Sequence, residues 1–181
     1  MKNKLMITAA VSAAILASSQ VYADSTHGNR YMGANFGFLN YEDDGMSGDA
    51  SVTTIEGRVG GFFNDYVAGE LRAGLGVTGD ETSIMGTNVD VDVNYLLGGY
   101  FRFGAPITNK VFPYALLGYT RAEVEASGGG FSADATETDT SYGIGVDVDI
   151  VDMSLNFEYA NLLDKKGGKI SGFSVGFVTN F

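Results

Sequence analysis

Hydrophobic and polar positions alternate along most of the chain. The alternation marks eight segments of strand length, each with one set of every-other residues that carries no charge. In the first half these sets are Met32, Ala34, Phe36, Phe38; then Ile55, Gly57, Val59, Gly61, Phe63; then Val67, Gly69, Leu71, Ala73, Leu75, Val77; then Val89, Val91, Val93, Tyr95, Leu97, Gly99, Phe101, Phe103. In the second half they are Tyr114, Leu116, Gly118, Thr120, Ala122, Val124; then Tyr142, Ile144, Val146, Val148, Ile150; then Met153, Leu155, Phe157, Tyr159, Asn161, Leu163; and last Phe173, Val175, Phe177, Thr179, Phe181. The opposite positions are small or polar, for example Gly33, Asn35 and Gly37, or Ser174 and Gly176.

That pairing of faces decides the architecture. A narrow barrel interior has room mainly for small residues and a few long ones, so the small, polar face points inward and the apolar face outward. An apolar belt around a whole barrel aggregates in water but is at home in lipid. A strand in hydrocarbon must also pair on both edges, which only closure achieves. The expected fold is therefore all-β, an eight-stranded antiparallel up-and-down transmembrane β-barrel; a soluble sandwich is the competing reading.

Short connections at 63–66, 104–110 and 149–152 alternate with longer polar ones at about 40–51, 78–88, 126–138 and 164–169. Short periplasmic turns and longer outer loops are the usual asymmetry of such barrels. Tyr31, Phe62, Phe63, Tyr66, Phe101, Phe103, Phe112, Tyr114 and Phe181 cluster near the short turns and are expected to form the periplasmic-side aromatic girdle.

The ends and the composition sharpen this. Lys2 and Lys4, the apolar run from Leu5 to Leu16, and the small residues around Val21-Tyr22-Ala23 read as a secretory signal peptide over 1–23, leaving 24–181 as the barrel. Its removal leaves nine basic against 22 acidic side chains, a net charge of −13, so nucleic acid is not an expected partner. The chain has no cysteine, which excludes disulfides and thiolate chemistry.

Tyr31 to Gly37, Phe112 to Tyr119, Leu155 to Tyr159 and the terminal strand together resemble the outer-membrane β-barrel domain family, the small eight-stranded barrels similar to OmpX, Ail, the opacity proteins and the transmembrane part of OmpA. The resemblance covers essentially the whole of 24–181. It implies the outer membrane of a Gram-negative bacterium, lipid and lipopolysaccharide as surroundings, and a monomer. It also implies that Phe173, Val175, Phe177, Thr179 and Phe181 form the signal read by the barrel-assembly machinery. No peptidoglycan-binding domain follows Phe181, so cell-wall tethering is not implied, and the modest loops weaken the analogy with long-looped adhesins.

The chemistry lies in charges on inward positions. Glu56, Arg58, Glu70, Arg72, Arg102, Arg121, Glu123 and Glu158 fall there, joined near the periplasmic end by Asp147 and Asp149. Opposite signs on neighbouring strands pair and fill a lumen that would penalise an isolated charge. The tight turn at 63–66 should bring Glu56 and Arg58 near Arg72 and Glu70, and Arg102 should meet Asp147 or Asp149. This reads as a structural ionic plug; the alternative is a narrow porin passing small solutes, its charges acting as a filter.

Carboxylates at Glu42, Asp43, Asp44, Asp49, Asp80, Glu81, Asp134, Glu137 and Asp139 give an acidic outer face, with spacing that matches no EF-hand loop. No metal site and no cofactor are expected. The one histidine, His27, precedes the first strand, so no Ser-His-Asp arrangement forms at the outer rim and no catalysis is expected. The expected role is in envelope integrity or surface interaction.

Overall fold

The computed structural model describes residues 30–42, 50–78, 80–84, 87–128, 131–165 and 168–181. The signal peptide, His27, Asp43, Asp44 and Asp49 lie outside the described residues, as do the side chains of Asp80, Glu81 and Asp134. In chain order the strands are β1 (Arg30–Glu42), β2 (Ala50–Asn64), β3 (Val67–Thr78), β4 (Asp80–Ile84), β5 (Thr87–Gly104), β6 (Val111–Gly128), β7 (Phe131–Ile150), β8 (Met153–Lys165) and β9 (Gly168–Asn180). Successive strands pair antiparallel, and β1 returns to β9 in a ladder running from Tyr31↔Asn180 to Glu42↔Lys169. β3 pairs directly with β5 from Val67↔Phe103 to Gly74↔Leu96, while β4 continues the β3 stave outward against the far end of β5. The nine strands are thus eight staves of one closed barrel.

On seven of the eight staves the exterior is apolar where the sequence pattern places it, and Phe36, Phe38, Leu71, Phe101, Ile144, Phe157 and Phe177 all stand exposed on the wall. Among the described residues no helix is long and apolar enough to cross a membrane.

Four expectations are corrected. The first concerns stave β6, whose uncharged set Tyr114, Leu116, Thr120 and Ala122 is buried inside the barrel, while Leu117 and Tyr119 face out. Both faces of this strand are uncharged until Arg121. Arg121, Glu123 and Glu125 are the charged guides to its parity in the sequence, and they sit beyond the apolar belt, where an outward charge meets water and headgroups. Second, bulges reverse the parity near the outer rim. A register shift between Val93 and Tyr95 turns Val93 inward, and another between Asn161 and Leu163 leaves Asn161 covered and Leu163 in the core.

Third, Tyr31, Phe62, Phe112 and Tyr114 are buried in the lumen and do not belong to the girdle; Phe63, Tyr66, Phe101, Phe103 and Phe181 do stand exposed on that side. A second girdle, not anticipated from the sequence, runs along the outer edge of the belt through the exposed Tyr119, Tyr142 and Tyr159. Fourth, the outer connections are much shorter than expected, because pairing continues beyond the membrane. β6 and β7, at 18 and 20 residues, remain in register out to Gly128↔Phe131. Crossing takes only about 9–11 residues, so this hairpin rises well above the lipid.

The short turns are built locally. Asn64 Oδ1 accepts hydrogen bonds from the backbone N–H of Tyr66 and of Val67, each at 2.9 Å, fixing the β2–β3 hairpin. The β7–β8 hairpin instead places Val151 at φ 54°. A β-branched side chain is strained there, at a cost of about 1–2 kcal/mol, whereas asparagine tolerates it. Val151→Asn should accordingly raise the unfolding free energy of the refolded protein by about 1 kcal/mol in a denaturant titration; unchanged or lower stability would show that the turn stores no strain.

Candidate functional site in the lumen

The inward positions of all eight staves meet in one hydrogen-bonded web. At its centre Arg72 of β3 forms a bidentate pair with Glu158 of β8, Nη1 to Oε1 at 2.5 Å and Nη2 to Oε2 at 2.8 Å, while its Nε donates to Glu70 Oε1 at 2.5 Å. Glu70 Oε2 also accepts from Tyr31 Oη of β1 at 2.8 Å and from Arg102 Nη1 of β5 at 3.3 Å, and lies 3.7 Å from Arg58 Nη1 of β2. Arg102 Nη2 donates to Asp147 of β7. Asn156 of β8 ties these groups together. Its amide donates to Asp147 Oδ1 at 2.6 Å and to Tyr114 Oη of β6 at 2.7 Å, and its oxygen accepts from Arg58 Nη2 at 2.9 Å and Asn35 Nδ2 at 2.8 Å. Asn35 reaches Ser174 of β9 at 3.1 Å, which completes the ring of staves.

Aromatic rings complete the packing of these charges. The Arg102 guanidinium lies 3.7 Å from the Tyr114 ring centroid, and that of Arg72 lies 4.7 Å from the ring of Tyr100. Glycines on the facing staves make room: a Cβ on Gly60 would collide with the Tyr31 ring, and one on Gly145 with the ring of Tyr114. The alternation of small and long inward residues is thus a packing code for a filled interior. Arg102 is only 1 % exposed, so the web is shielded from bulk solvent as well as crowded.

Two further layers bracket the web. Toward the short turns, the ring of Phe62 packs at a tilt against Tyr31 and edge-on against Phe112, each with a centroid separation of 5.6 Å. Toward the outer rim, Leu39, Val52, Val93, Leu96, Ala122, Ala160, Leu162, Leu163 and Ile170 fill the lumen with apolar side chains. The bulge in β8 brings the consecutive residues Leu162 and Leu163 both into this layer.

Of the ten sequence-derived lumen residues, the structure brings Arg58, Glu70, Arg72, Arg102, Asp147 and Glu158 into the web. Glu56 is buried beside it but hydrogen-bonds only the Thr54 hydroxyl, at 3.4 Å, and Asp149 accepts from Ser154 instead of meeting Arg102. Arg121 and Glu123 are corrections, because their stave is turned the other way. Arg121 is exposed on the outer wall, and Glu123 accepts hydrogen bonds from Asn94 and Thr136, each at 3.3 Å, on that same outer surface. The alternation places Asn35 on an inward position without showing that it joins the ions through Asn156, and sequence reasoning misses the lumen tyrosines altogether. Tyr31 lies between the outward Arg30 and Met32, so strict alternation would have placed it inside.

On the terminal stave Phe173, Val175, Phe177 and Phe181 are exposed, Thr179 half-buried. Among the described residues no cluster of His, Cys, Asp and Glu could hold a metal ion.

Chemically, three guanidiniums and three carboxylates held by tyrosine and amide donors neutralise one another across the cylinder. Breaking one buried partner leaves the others uncompensated. Arg72→Met should therefore destabilise the refolded barrel by about 3–5 kcal/mol in denaturant titrations, whereas Arg121→Ala should stay within about 0.5 kcal/mol. Equal effects of the two substitutions would mean that lumen and wall had been confused.

Comparison with known proteins agrees with this architecture. Among curated proteins no sequence matches. Among solved structures, the barrel is similar to Ail, the attachment invasion locus protein of Yersinia pestis, with a TM-score of 0.65 at 18 % identity, over 86 % of this chain and 99 % of that one. It is also similar to Neisserial surface protein A, with a TM-score of 0.63 at 14 % identity, over 84 % and 97 % of the two chains. For OprG from Pseudomonas aeruginosa the TM-score is 0.59 at 13 % identity, over 86 % and 97 %. At these identities the likeness establishes the fold. The model of the outer membrane protein β-barrel domain matches residues 9–181, and the chain belongs to that family.

Proposed function

We propose that this chain is a sealed, non-catalytic outer-membrane barrel that serves envelope integrity or surface interaction. The observation that carries the reading is the lumen itself: an aromatic layer, an ionic web with a member on every stave, and an apolar layer stacked along it support a sealed bore. The reading extends to a monomer set in lipid and lipopolysaccharide, assembled through the aromatic terminal stave, and exported by a signal peptide over 1–23. Amino-terminal sequencing of the membrane-inserted form should begin at about Asp24; an intact Met1 would remove the signal peptide from the account. The lack of catalysis rests on a sole histidine that precedes the first stave.

One Ail structure holds a heparin analogue, sucrose octasulfate. A polyanion is a poor match here, since the net charge of the full chain is −11 and Glu42, Glu123, Glu125, Glu137, Asp139 and Asp164 stand at the outer end. A surface partner of this chain is therefore expected to be neutral or basic.

Conductance decides between a sealed barrel and a narrow porin. Refolded protein in planar bilayers should give no stable single-channel current. Long-lived conductance steps from the wild-type protein would establish the porin and end the sealed-barrel reading.

A further inference from the structure

The barrel wall is not joined in the same way throughout. Between β7 and β8 the backbone ladder runs from Ile150↔Met153 to Tyr142↔Asn161 and ends there, although both strands continue outward. The staves on either side remain laddered: β6–β7 to Gly128↔Phe131, and β8–β9 to Lys165↔Gly168. The ladder therefore stops at the level of Tyr142 and Tyr159 of the outer girdle, with one seam of the wall left above it.

Side chains close that seam, one from each successive inward position of β7. Ser141 Oγ donates to the backbone carbonyl of Leu162 at 2.8 Å. Asp139 spans the gap with one oxygen, Oδ2 accepting from Asp164 N–H across the seam at 3.0 Å, while Oδ1 accepts from the neighbouring Thr140 N–H at 2.7 Å. Glu137 pairs with Lys165 at 2.9 Å. Asn161 adds contacts to Tyr142 Oη at 3.3 Å and to Asp164 Oδ2 at 3.4 Å, with its own Oδ1 left without a partner.

The Ser141 fastener also reaches inward. Since Ser141 donates to Leu162, it accepts from Thr120, which in turn accepts from Tyr100, through hydroxyl contacts of 2.6 and 2.5 Å. This one-directional chain anchors the β8 bulge to the web, where Arg72 covers the Tyr100 ring. Immediately behind the seam lie Leu162, Leu163 and the apolar outer layer.

A ladder opens cooperatively, but isolated side-chain fasteners open one by one, and two of these involve solvent-exposed carboxylates. We infer that the outer β7–β8 seam is a side-chain-laced closure that opens without the rest of the barrel, uncovering the apolar layer sideways at headgroup level. The inference concerns the wall and holds whether or not the lumen conducts.

The absence of cysteine makes a single introduced thiol a clean reporter. Leu163→Cys lies behind the seam, and Leu96→Cys lies in the same apolar layer on β5, two staves away from β7. Each variant is reacted with a membrane-impermeant maleimide in refolded protein, alone and combined with Asp139→Ala or, as a milder change on the exposed rim, Lys165→Met. Each seam change should speed labelling of the thiol at position 163 by about fivefold, the equivalent of one lost hydrogen bond, and leave the thiol at position 96 unchanged. The folded form should persist, seen as unchanged heat-modifiable migration on gels. Equal acceleration at both thiols would place the opening at the axial mouth; no acceleration with either seam change, or acceleration only with loss of the folded band, would likewise overturn the proposal.

Discussion

Backbone hydrogen bonding in a medium without water is the constraint on which this molecule depends. Every amide within the hydrocarbon has to find a partner strand, and the β1–β9 ladder provides the last of them by closing the sheet. Closure with eight staves makes a narrow cylinder. The narrowness then dictates the interior: glycine where a tyrosine ring must lie flat, and long side chains only where their charges are matched. The ionic web is therefore a consequence of closure, and its members come from staves far apart in sequence, such as Arg72 with Glu158 and Asn35 with Asn156.

Buried ion pairs of this kind contribute less to net stability than their short distances suggest, because desolvation offsets most of the attraction. Their effect is on specificity. A stave slipped by one residue would turn Arg58, Arg72 or Arg102 toward lipid, where an arginine costs roughly 2–4 kcal/mol at the bilayer midplane. The web thus penalises wrong registers more strongly than it rewards the right one. The apolar outer layer and the aromatic inner layer flank the ions on either side along the barrel axis.

Much of the fold was legible in the sequence because lipid imposes a strong rule on one face. Where outward residues had to be apolar and inward ones were charged, as in β2, β3 and β8 up to Tyr159, the assignment of faces followed directly. It failed where both faces were apolar, as in β6, since nothing in Phe112 to Thr120 distinguishes a lipid-facing from a lumen-facing position. It failed again above the bulges, where a single extra residue at Asn94 or Leu162 reverses the faces without any local signal in composition. Half of the candidate site was visible as charges and Asn35 as an inward position, but the connecting role of the tyrosines and asparagines was not, because it appears only when distant staves are brought together.

The central claim is that the lumen is dry and packed, and arginine side chains report on this directly. In protein refolded into lipid and transferred to deuterated water, the Nε–H signals of Arg58, Arg72 and Arg102 should persist in nitrogen–proton spectra long after that of Arg121 on the outer wall has disappeared. Loss of all four at the same rate would mean that water fills the barrel and that the web does not close it.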